Sequence, residues 1–347
     1  MKTLEQLSTR PEMIPAITTW YLTHLAEAKG KQALFLKHGL QRLKALREHA
    51  IIESAISSNR IEGVRVDQAR VQAVVLGKSR LKDRDEEEVR GYGNAINLIH
   101  EEGADLEVSE EAIFKLHRLA RGGIWDSGKY KEKESDIVER CPDGRSRVRF
   151  KTVEAVQCPE FMGQLNSLWH RAIEEQWAHP LIVVAGFNLD FLCIHPFRDG
   201  NGRVSRLLLL LQAYHLGYGV GRYISIERLI EQNKDRYYET LGLSSQGWHE
   251  GQHDPWPYVN YILFILKTAC AEFEDRLGRL KSPRGFKTEL VKDAIERRFG
   301  EFTLSDLEIT CPGVSRDMIR RVLQELQKQG MVECLGRGPG APWRKNR

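Results

Sequence analysis

Apolar residues recur at three- and four-residue spacing through most of the chain, in stretches such as AIFKLHRLA (112–120) and YVNYILFILKTACAEFEDRL (258–277). Pro and Gly fall mainly between such stretches, so the pattern predicts a mainly α protein. An apolar helix is expected over Leu181–Cys193, ahead of a loop rich in polar residues and Gly, with a second apolar helix re-entering near Arg203. One segment breaks the helical period. Ile137–Phe150, IVERCPDGRSRVRF, has two short β-branched runs around Pro142-Asp143-Gly144, the signature of a β-hairpin. The charged run KDRDEEEVR (82–90) reads most simply as a solvated helix face.

Past residue 275 the pattern changes again. RLGRLKSPRGFKTE (276–289) ends a long helix in a basic stretch with Pro283 and Gly285, which is expected to be a linker. A helix over Thr288–Phe299, a short helix over Leu304–Ile309, a TCPGV turn and a helix from N-cap Ser315 to Gln329, closed by Gly330, follow in order. MVECLGRGPGAPWRKNR then offers a strand, a Gly/Pro turn and a second strand around Trp343. That order describes a winged helix. The expected organisation is a helical N-terminal region (1–105), a central domain (106–280) and a winged-helix domain (284–347).

The chain has 347 residues, which fits two or three such units. Its 41% hydrophobic and 29% charged residues exclude disordered, collagen-like and disulfide-scaffold classes. Six cysteines without a CxxC pair or zinc-finger spacing fit a reduced compartment. The N-terminus lacks an apolar signal core, and runs such as LIVVAGF fall short of the ~20 residues a spanning helix needs. The expected location is the cytoplasm, with no membrane partner. Net charge is only +4, but residues 281–347 hold 14 Lys and Arg against 9 Asp and Glu, a net of +5 that leaves −1 elsewhere. Arg316, Arg320 and Arg321 open the third helix of this unit, and Arg337, Arg344, Lys345 and Arg347 lie on or after the wing, the footprint of phosphate contacts. DNA is the partner this footprint suggests, and a winged helix used for protein contacts is the alternative.

The densest chemistry lies in IHPFRDGNGRVSRLLLLLQAYHLGYG, residues 194–219. Gly200 and Gly202 let the backbone approach a ligand, and the loop delivers N–H groups into a helix N-terminus, a ready phosphate site. His195 can take a proton from a hydroxyl. Asp199 offers a hard carboxylate for Mg²⁺, while Arg203 and Arg206, on one helical face, can clamp phosphate oxygens. Phe197 would anchor the loop on the core. No built-in nucleophile occupies the loop, which argues for direct transfer to an acceptor hydroxyl.

This stretch resembles the Fic family pattern His-Pro-Phe-x-Asp/Glu-Gly-Asn-Gly-Arg-x-x-Arg, matched at every defined position from His195 to Arg206. The resemblance implies an all-helical Fic fold whose members mostly transfer AMP from ATP to a Ser, Thr or Tyr hydroxyl of a protein. It makes His195 the base and Asp199 the Mg²⁺ ligand at the α- and β-phosphates. Gly200, Asn201 and Gly202 become the anion hole, with Arg203 and Arg206 on the β- and γ-phosphates and Val204 and Ser205 counted with them among the nucleotide-binding residues. The hairpin becomes the flap that aligns the target segment. Tyr237 and Tyr238 become adenine contacts, although core aromatics are as ready a reading. Asn188 stands where many relatives carry His. Gly-Asn-Gly-Arg, in place of an Asn-Lys variant seen in Fic-like kinases, favours AMP transfer.

Upstream, SNRIEG (58–63) resembles the family's inhibitory pattern Ser/Thr-x-x-x-Glu-Gly/Asn. Ser58 and Glu62 share a helix face and Gly63 is a natural stop. By resemblance, Glu62 pairs with Arg206 and displaces the γ-phosphate, in the class with an N-terminal inhibitory helix. The resemblance also suggests a homodimer. Removal of AMP by the same site, and an ATP-sensing transcriptional regulator, stand as alternative functions. HEGQH (249–253) matches a zinc-protease string, but Gly247, Gly251 and the Asp254-Pro255-Trp256-Pro257 run make it a loop.

Overall fold

A computed structural model describes residues 1–9, 14–36, 40–67, 69–140, 146–279, 286–296, 298, 300–311, 313–338 and 340–346. The first six helices are α1 (Lys2–Thr9), α2 (Ala16–Leu36), α3 (Leu40–Ile61), α4 (Val71–Val75), α5 (Arg84–Glu102) and α6 (Glu110–Arg121). The antiparallel hairpin β1 (Ile137–Arg140) and β2 (Ser146–Phe150) comes next, where the sequence predicts it. Its Pro-Asp-Gly turn lies outside the described residues. Then follow α7 (Cys158–Glu174), α8 (Pro180–Ile194), α9 (Asn201–His215), α10 (Ile226–Gln232), α11 (Lys234–Ser245) and α12 (Trp256–Arg279). The protein is mainly helical, as its periodicity predicts.

The centre of the molecule is α8. Pro180 starts it, where a missing N–H costs nothing, and every residue from Leu181 to Ile194 is buried. A helix apolar on all sides has to sit at the centre, and α1, α7, α9, α11 and α12 pack around it. Its few polar side chains are satisfied. The Asp190 carboxylate accepts the backbone N–H groups of Thr3 (3.0 Å) and Leu4 (3.1 Å) and the indole N–H of Trp248 (2.6 Å), which docks the start of α1. Asn188 donates to the Ser205 carbonyl (2.6 Å) and accepts from the Tyr258 hydroxyl (2.6 Å), tying α8 to α9 and α12.

Helix α3 is pinned by a buried ionic cluster. Glu53 meets His49 (3.1 Å), Arg228 (3.4 Å) and Arg276 (3.9 Å), and both arginines reach Glu272 at 2.7 and 2.6 Å. Burial opposes the Glu53 charge, and the surrounding cations outweigh it and hold the carboxyl well below its usual range. Glu62 follows the helix in a turn that ends at Gly63, φ 87°.

The charge run at 82–90 is not the solvated face its pattern suggests. Asp83 caps α5 by accepting from the Glu86 N–H (2.9 Å), and the acidic first turn suits the helix N-terminus. Yet Glu86 and Glu88 are each only 3% exposed. Glu86 pairs with Arg70 at 2.6 Å, and Glu88 turns inward to two arginines of other helices. Partners far along the chain make that burial tolerable, and no local pattern reveals them.

The C-terminal segment contains α13 (Phe286–Glu296), β3 (Glu301–Phe302), α14 (Leu304–Thr310), α15 (Arg316–Lys328), β4 (Val332–Cys334) and β5 (Trp343–Lys345). The strands form one antiparallel sheet in the order β3-β5-β4. Ser315 caps α15 as expected, accepting from the Met318 N–H. Thr303 and Asp306 close a reciprocal capping box on α14. Lys287, Leu290, Gly313 and Val314 of this segment face Glu48, His49 and Ile52 of α3 across a cleft of about 60 Å³. The expected linker around Pro283 and Gly285 lies outside the described residues.

Candidate active site

The loop between α8 and α9 is shaped by two left-handed residues. His195 ends α8 at φ 53°, ψ 60°, a conformation that costs a non-glycine residue on the order of 1–3 kcal/mol. Gly200, at φ 86°, opens α9 without that cost, and a β-carbon there would lie 2.8 Å from the Arg121 side chain. Asn201, the first residue of α9, accepts from the Phe197 N–H (2.9 Å) and donates to the Phe197 carbonyl (2.7 Å), closing the loop on itself. Phe197 is fully buried and stacks on His117 of α6, centroids 3.8 Å apart and planes at 6°. His117 Nδ1 accepts from the Gly128 N–H (2.8 Å), so its Nε2 carries the proton and donates to the Asp199 carbonyl (3.0 Å). Burial pushes the His117 pKa down to about 4, which keeps the ring neutral in that role.

A cavity of about 510 Å³ opens above this loop. His195, Gly202, Arg206, Glu62, Tyr237 and Tyr238 line it, together with Leu192 and Cys193 of α8 and Leu241, Gly242 and Ser245 of α11. The hairpin supplies another wall through Ile137, Val138, Arg149 and Phe150, with Asp136 just before it. Arg149 donates to the Tyr238 carbonyl and so ties β2 to α11. The rings of Tyr237 and Tyr238 meet at 5.2 Å, with Tyr237 almost wholly buried.

His195 is partly buried, and its pKa falls to about 4. Desolvation is the larger cause and the positive charge of Lys131 the next. Lys131 is only 4% exposed; its ammonium donates to the Thr152 hydroxyl (2.7 Å) and its backbone N–H to the Pro196 carbonyl (2.9 Å), next to His195. The imidazole is therefore neutral at pH 7 and able to accept a proton.

Glu62, just past the end of α3, lines this cavity, and Ser58 lies fully buried on α3 beside it. Arg206 donates to Glu62 Oε1 (2.8 Å), to the Ser58 hydroxyl (2.9 Å) and to the Ser58 carbonyl (3.1 Å). Burial alone would lower the guanidinium pKa; the Glu62 carboxylate outweighs it and holds it above its ordinary value. A β-carbon on Gly202 would strike the Glu62 carboxylate, so glycine is what lets that side chain lie against the head of α9. Lys234 of α11 donates to the Ile61 carbonyl at 2.8 Å and satisfies the end of α3.

The remaining predicted residues sit around the cavity rather than on its wall. Arg203 is 1% exposed and directed at Glu88 (2.6 Å) and Asn59 (3.2 Å). Val204 and Ser205 are fully buried, and the Ser205 hydroxyl donates to the Gly202 carbonyl at 2.8 Å. Asp199 lies at the head of α9 with its side chain 55% exposed, 3.0 Å from Arg121 and 3.6 Å from Arg203. Burial would raise its pKa, and the two arginines outweigh that and lower it. His249 lies in a turn and His253 in the irregular segment after it, and they bond elsewhere, to the Lys151 carbonyl (2.7 Å) and the Thr3 hydroxyl (2.8 Å). Arg316, Arg320 and Arg344 form ion pairs with Glu308 (2.7 Å), Asp317 (3.0 Å) and Glu333 (2.6 Å), while Arg321 and Arg337 are exposed and Arg347 lies outside the described residues. His117, Lys131, Arg121, Glu88 and Arg149 shape the site without having stood out in the sequence. Each acts through a partner remote in the chain.

Residues 107–213 match the Fic/DOC family. A Drosophila willistoni protein named Protein adenylyltransferase Fic is 25% identical over 266 residues, 74% of this chain and 49% of its own length, so this chain spans about half the length of that relative. A Fic family protein from Desulfovibrio desulfuricans G20 superposes over 97% of this chain and 98% of its own, at TM-score 0.64 and 22% identity. A Fic domain containing signaling protein from Bacteroides thetaiotaomicron VPI-5482 covers 72% of this chain and 95% of its own, at TM-score 0.60 and 21% identity. These likenesses describe a shared fold. Among the described residues, no helix is long and apolar enough to cross a membrane.

Proposed function

We propose that the chain transfers AMP from ATP to a hydroxyl group of a protein, and that Glu62 restrains this activity. One observation carries the reading: His195, the N-terminus of α9 at Gly202, Arg206 and the edge of the hairpin all open onto one cavity. The acceptor hydroxyl oxygen bonds to the α-phosphorus as the bond to pyrophosphate breaks, and neutral His195 takes the hydroxyl proton. The N–H groups at the head of α9 receive the phosphate oxygens. Tyr237 and Tyr238 line the adenine side, and strand β2 or β1 offers backbone groups to an extended target segment.

Asp199 fits a divalent cation on the chemistry of its donors. It is a single half-exposed carboxylate at the phosphate end, and among the described residues no three His, Cys, Asp or Glu side chains gather into a metal cage. Mg²⁺ bound with nucleotide characteristically takes one or two carboxylates and completes its shell with phosphate oxygens and water. When bound it neutralises phosphate charge.

The restraint follows from the Arg206 pairing. A guanidinium already held by Glu62 and Ser58 is not free for the γ-phosphate, and the Glu62 carboxylate repels that phosphate from the same place. The test labels ATP on either the α- or the γ-phosphate. Transfer of the α-label by Glu62→Gly, lost in a Glu62→Gly/His195→Ala protein by about 10²–10⁴-fold, supports the reading. Transfer of the γ-label instead points to kinase chemistry, and release of AMP from a pre-modified protein points to hydrolytic removal of AMP, with water in place of pyrophosphate as the attacking group.

A second reading concerns the C-terminal unit, which we infer to be a winged helix that binds DNA. Its order of helix, strand, two helices and two strands and its net charge of +5 support this. The intramolecular pairs of Arg316 and Arg320 would have to open for phosphate contacts. A gel shift with promoter fragments tests it; retention unaltered by Arg316→Ala/Arg320→Ala removes α15 from DNA recognition.

A further inference from the structure

The Glu88 carboxylate stands between two guanidiniums from different helices. Its side chain is 4% exposed, Oε1 accepts from Arg121 at 2.6 Å, and Oε2 accepts from Arg203 at 2.6 Å. The same two arginines reach Asp199 at the longer distances of 3.0 and 3.6 Å. Asn59 adds a further acceptor for Arg203 at 3.2 Å, and the half-exposed Arg84 approaches Glu88 from the solvent side at 3.1 Å. Both buried arginines are therefore committed first to Glu88 and only second to Asp199.

We propose that Glu88 is a positioning residue that keeps Asp199 available to a divalent cation by holding Arg121 and Arg203 away from it. The proposal rests on Asp199 being the cation ligand, as set out above. With Glu88 in place, two buried guanidiniums face two carboxylates. Without it they face one, and a buried cation left unpaired takes the nearest anion. That anion is Asp199. Both guanidiniums then close on its oxygens, and the surplus positive charge repels Mg²⁺ from the same place. Partners one shell out from a ligand characteristically set its orientation and its affinity for metal in this way.

A purely structural ion pair would lower stability when broken, but it would not change cation binding in opposite directions when its two ends are removed. The experiment uses the full chain carrying Glu62→Gly, which lifts the restraint on the nucleotide, as the background for every variant, with Mn²⁺ as the probe. Free Mn²⁺ is followed by electron paramagnetic resonance in the presence of a non-hydrolysable ATP analogue, against the same analogue without protein because the triphosphate itself binds Mn²⁺, and circular dichroism checks folding. Glu88→Gln is expected to weaken Mn²⁺ binding about tenfold or more. Arg121→Gln, which leaves Glu88 to Arg203 and removes a competitor for Asp199, is expected to tighten it. The double variant Glu88→Gln/Arg121→Gln is expected to recover part of the loss, because one anion and one cation leave together. Unchanged Mn²⁺ affinity in folded Glu88→Gln overturns the proposal. If Glu88→Gln does not fold, Arg121→Gln decides, and unchanged or weaker binding there overturns it equally. Glu62→Gly protein that takes up no Mn²⁺ with the analogue overturns the Asp199 assignment and this proposal with it, whereas uptake that adding Glu88→Gln leaves unaltered overturns the role of Glu88 alone.

Discussion

Glu62 Oε1 lies 2.8 Å from Nη2 of Arg206, joining residues 144 positions apart in one charge-assisted hydrogen bond. Arg206 is buried and Glu62 partly open to the cavity, so the bond sits where solvent screens it weakly. Replacing Glu62 with Gly frees the guanidinium without adding a side chain against Gly202. Hydrogen bonds to charged groups are worth roughly 1.5–3 kcal/mol. AMP transfer by Glu62→Gly should therefore rise roughly ten- to a hundredfold, measured as α-label incorporated into the protein itself or into a lysate. Ser58→Ala, which loses the neutral partner of the same guanidinium, should rise less.

The base titrates low. With the His195 pKa near 4 and Glu62 among the charges that raise it, kcat/KM for the Glu62→Gly protein should stay level from neutral pH down and fall only at about pH 4 or below, where the imidazole takes up its proton. Lys131→Met removes the leading charge that disfavours the protonated ring, so the acid limb should move up towards the ordinary value of 6.5. An acid limb at the same pH in both proteins would separate Lys131 from the base.

Stability should climb with pH across the same range. His195 and His117, with pKa values near 4, and His100, near 3, are held neutral by burial, while in the unfolded chain each titrates near 6.5. Between those limits the unfolded state binds more protons, so unfolding free energy increases with pH up to about 6.5 and is lost on acidification. His100 makes no side-chain hydrogen bond through either ring nitrogen. His100→Phe should flatten the rise in Tm between pH 4.5 and 6.5, taken as about the edges of the window, and an unchanged slope would assign the titration elsewhere.

Phe197 anchors the catalytic loop through its stack on His117. Truncating a fully buried Phe to Ala typically costs about 3–5 kcal/mol, and here it also removes the ring against which His117 holds the Asp199 carbonyl. Phe197→Ala should lower Tm by several degrees and reduce nucleotide binding, whereas Phe197→Leu should retain most of the stability. Chemical denaturation with parallel ATP-analogue titration checks both.

Where interactions stay within a few residues, the sequence was a sufficient guide. The helices of the body, the hairpin at 137–150, the loop from His195 to Arg206 and the cap of α15 at Ser315 all follow from periodicity, turn residues and N-cap chemistry. Strand β3 did not, because two residues carry no period and Glu301–Phe302 is a strand only through its pairing with β5. The charge run at 82–90 misled for a related reason: a carboxylate on a helix looks solvated until its counter-ions arrive from elsewhere, and the buried ones of Glu88 come from α6 and α9.

The residue types that could handle phosphate were thus set by the local sequence, as was the helix N-terminus that presents them. Which arginine opens to the cavity and which is buried on Glu88, what lowers the His195 pKa, and how the end of α3 meets Arg206 were decided by tertiary packing alone. Charge and desolvation act through space, so they depend on which helices become neighbours, whereas caps and turns act along the chain and are written in it.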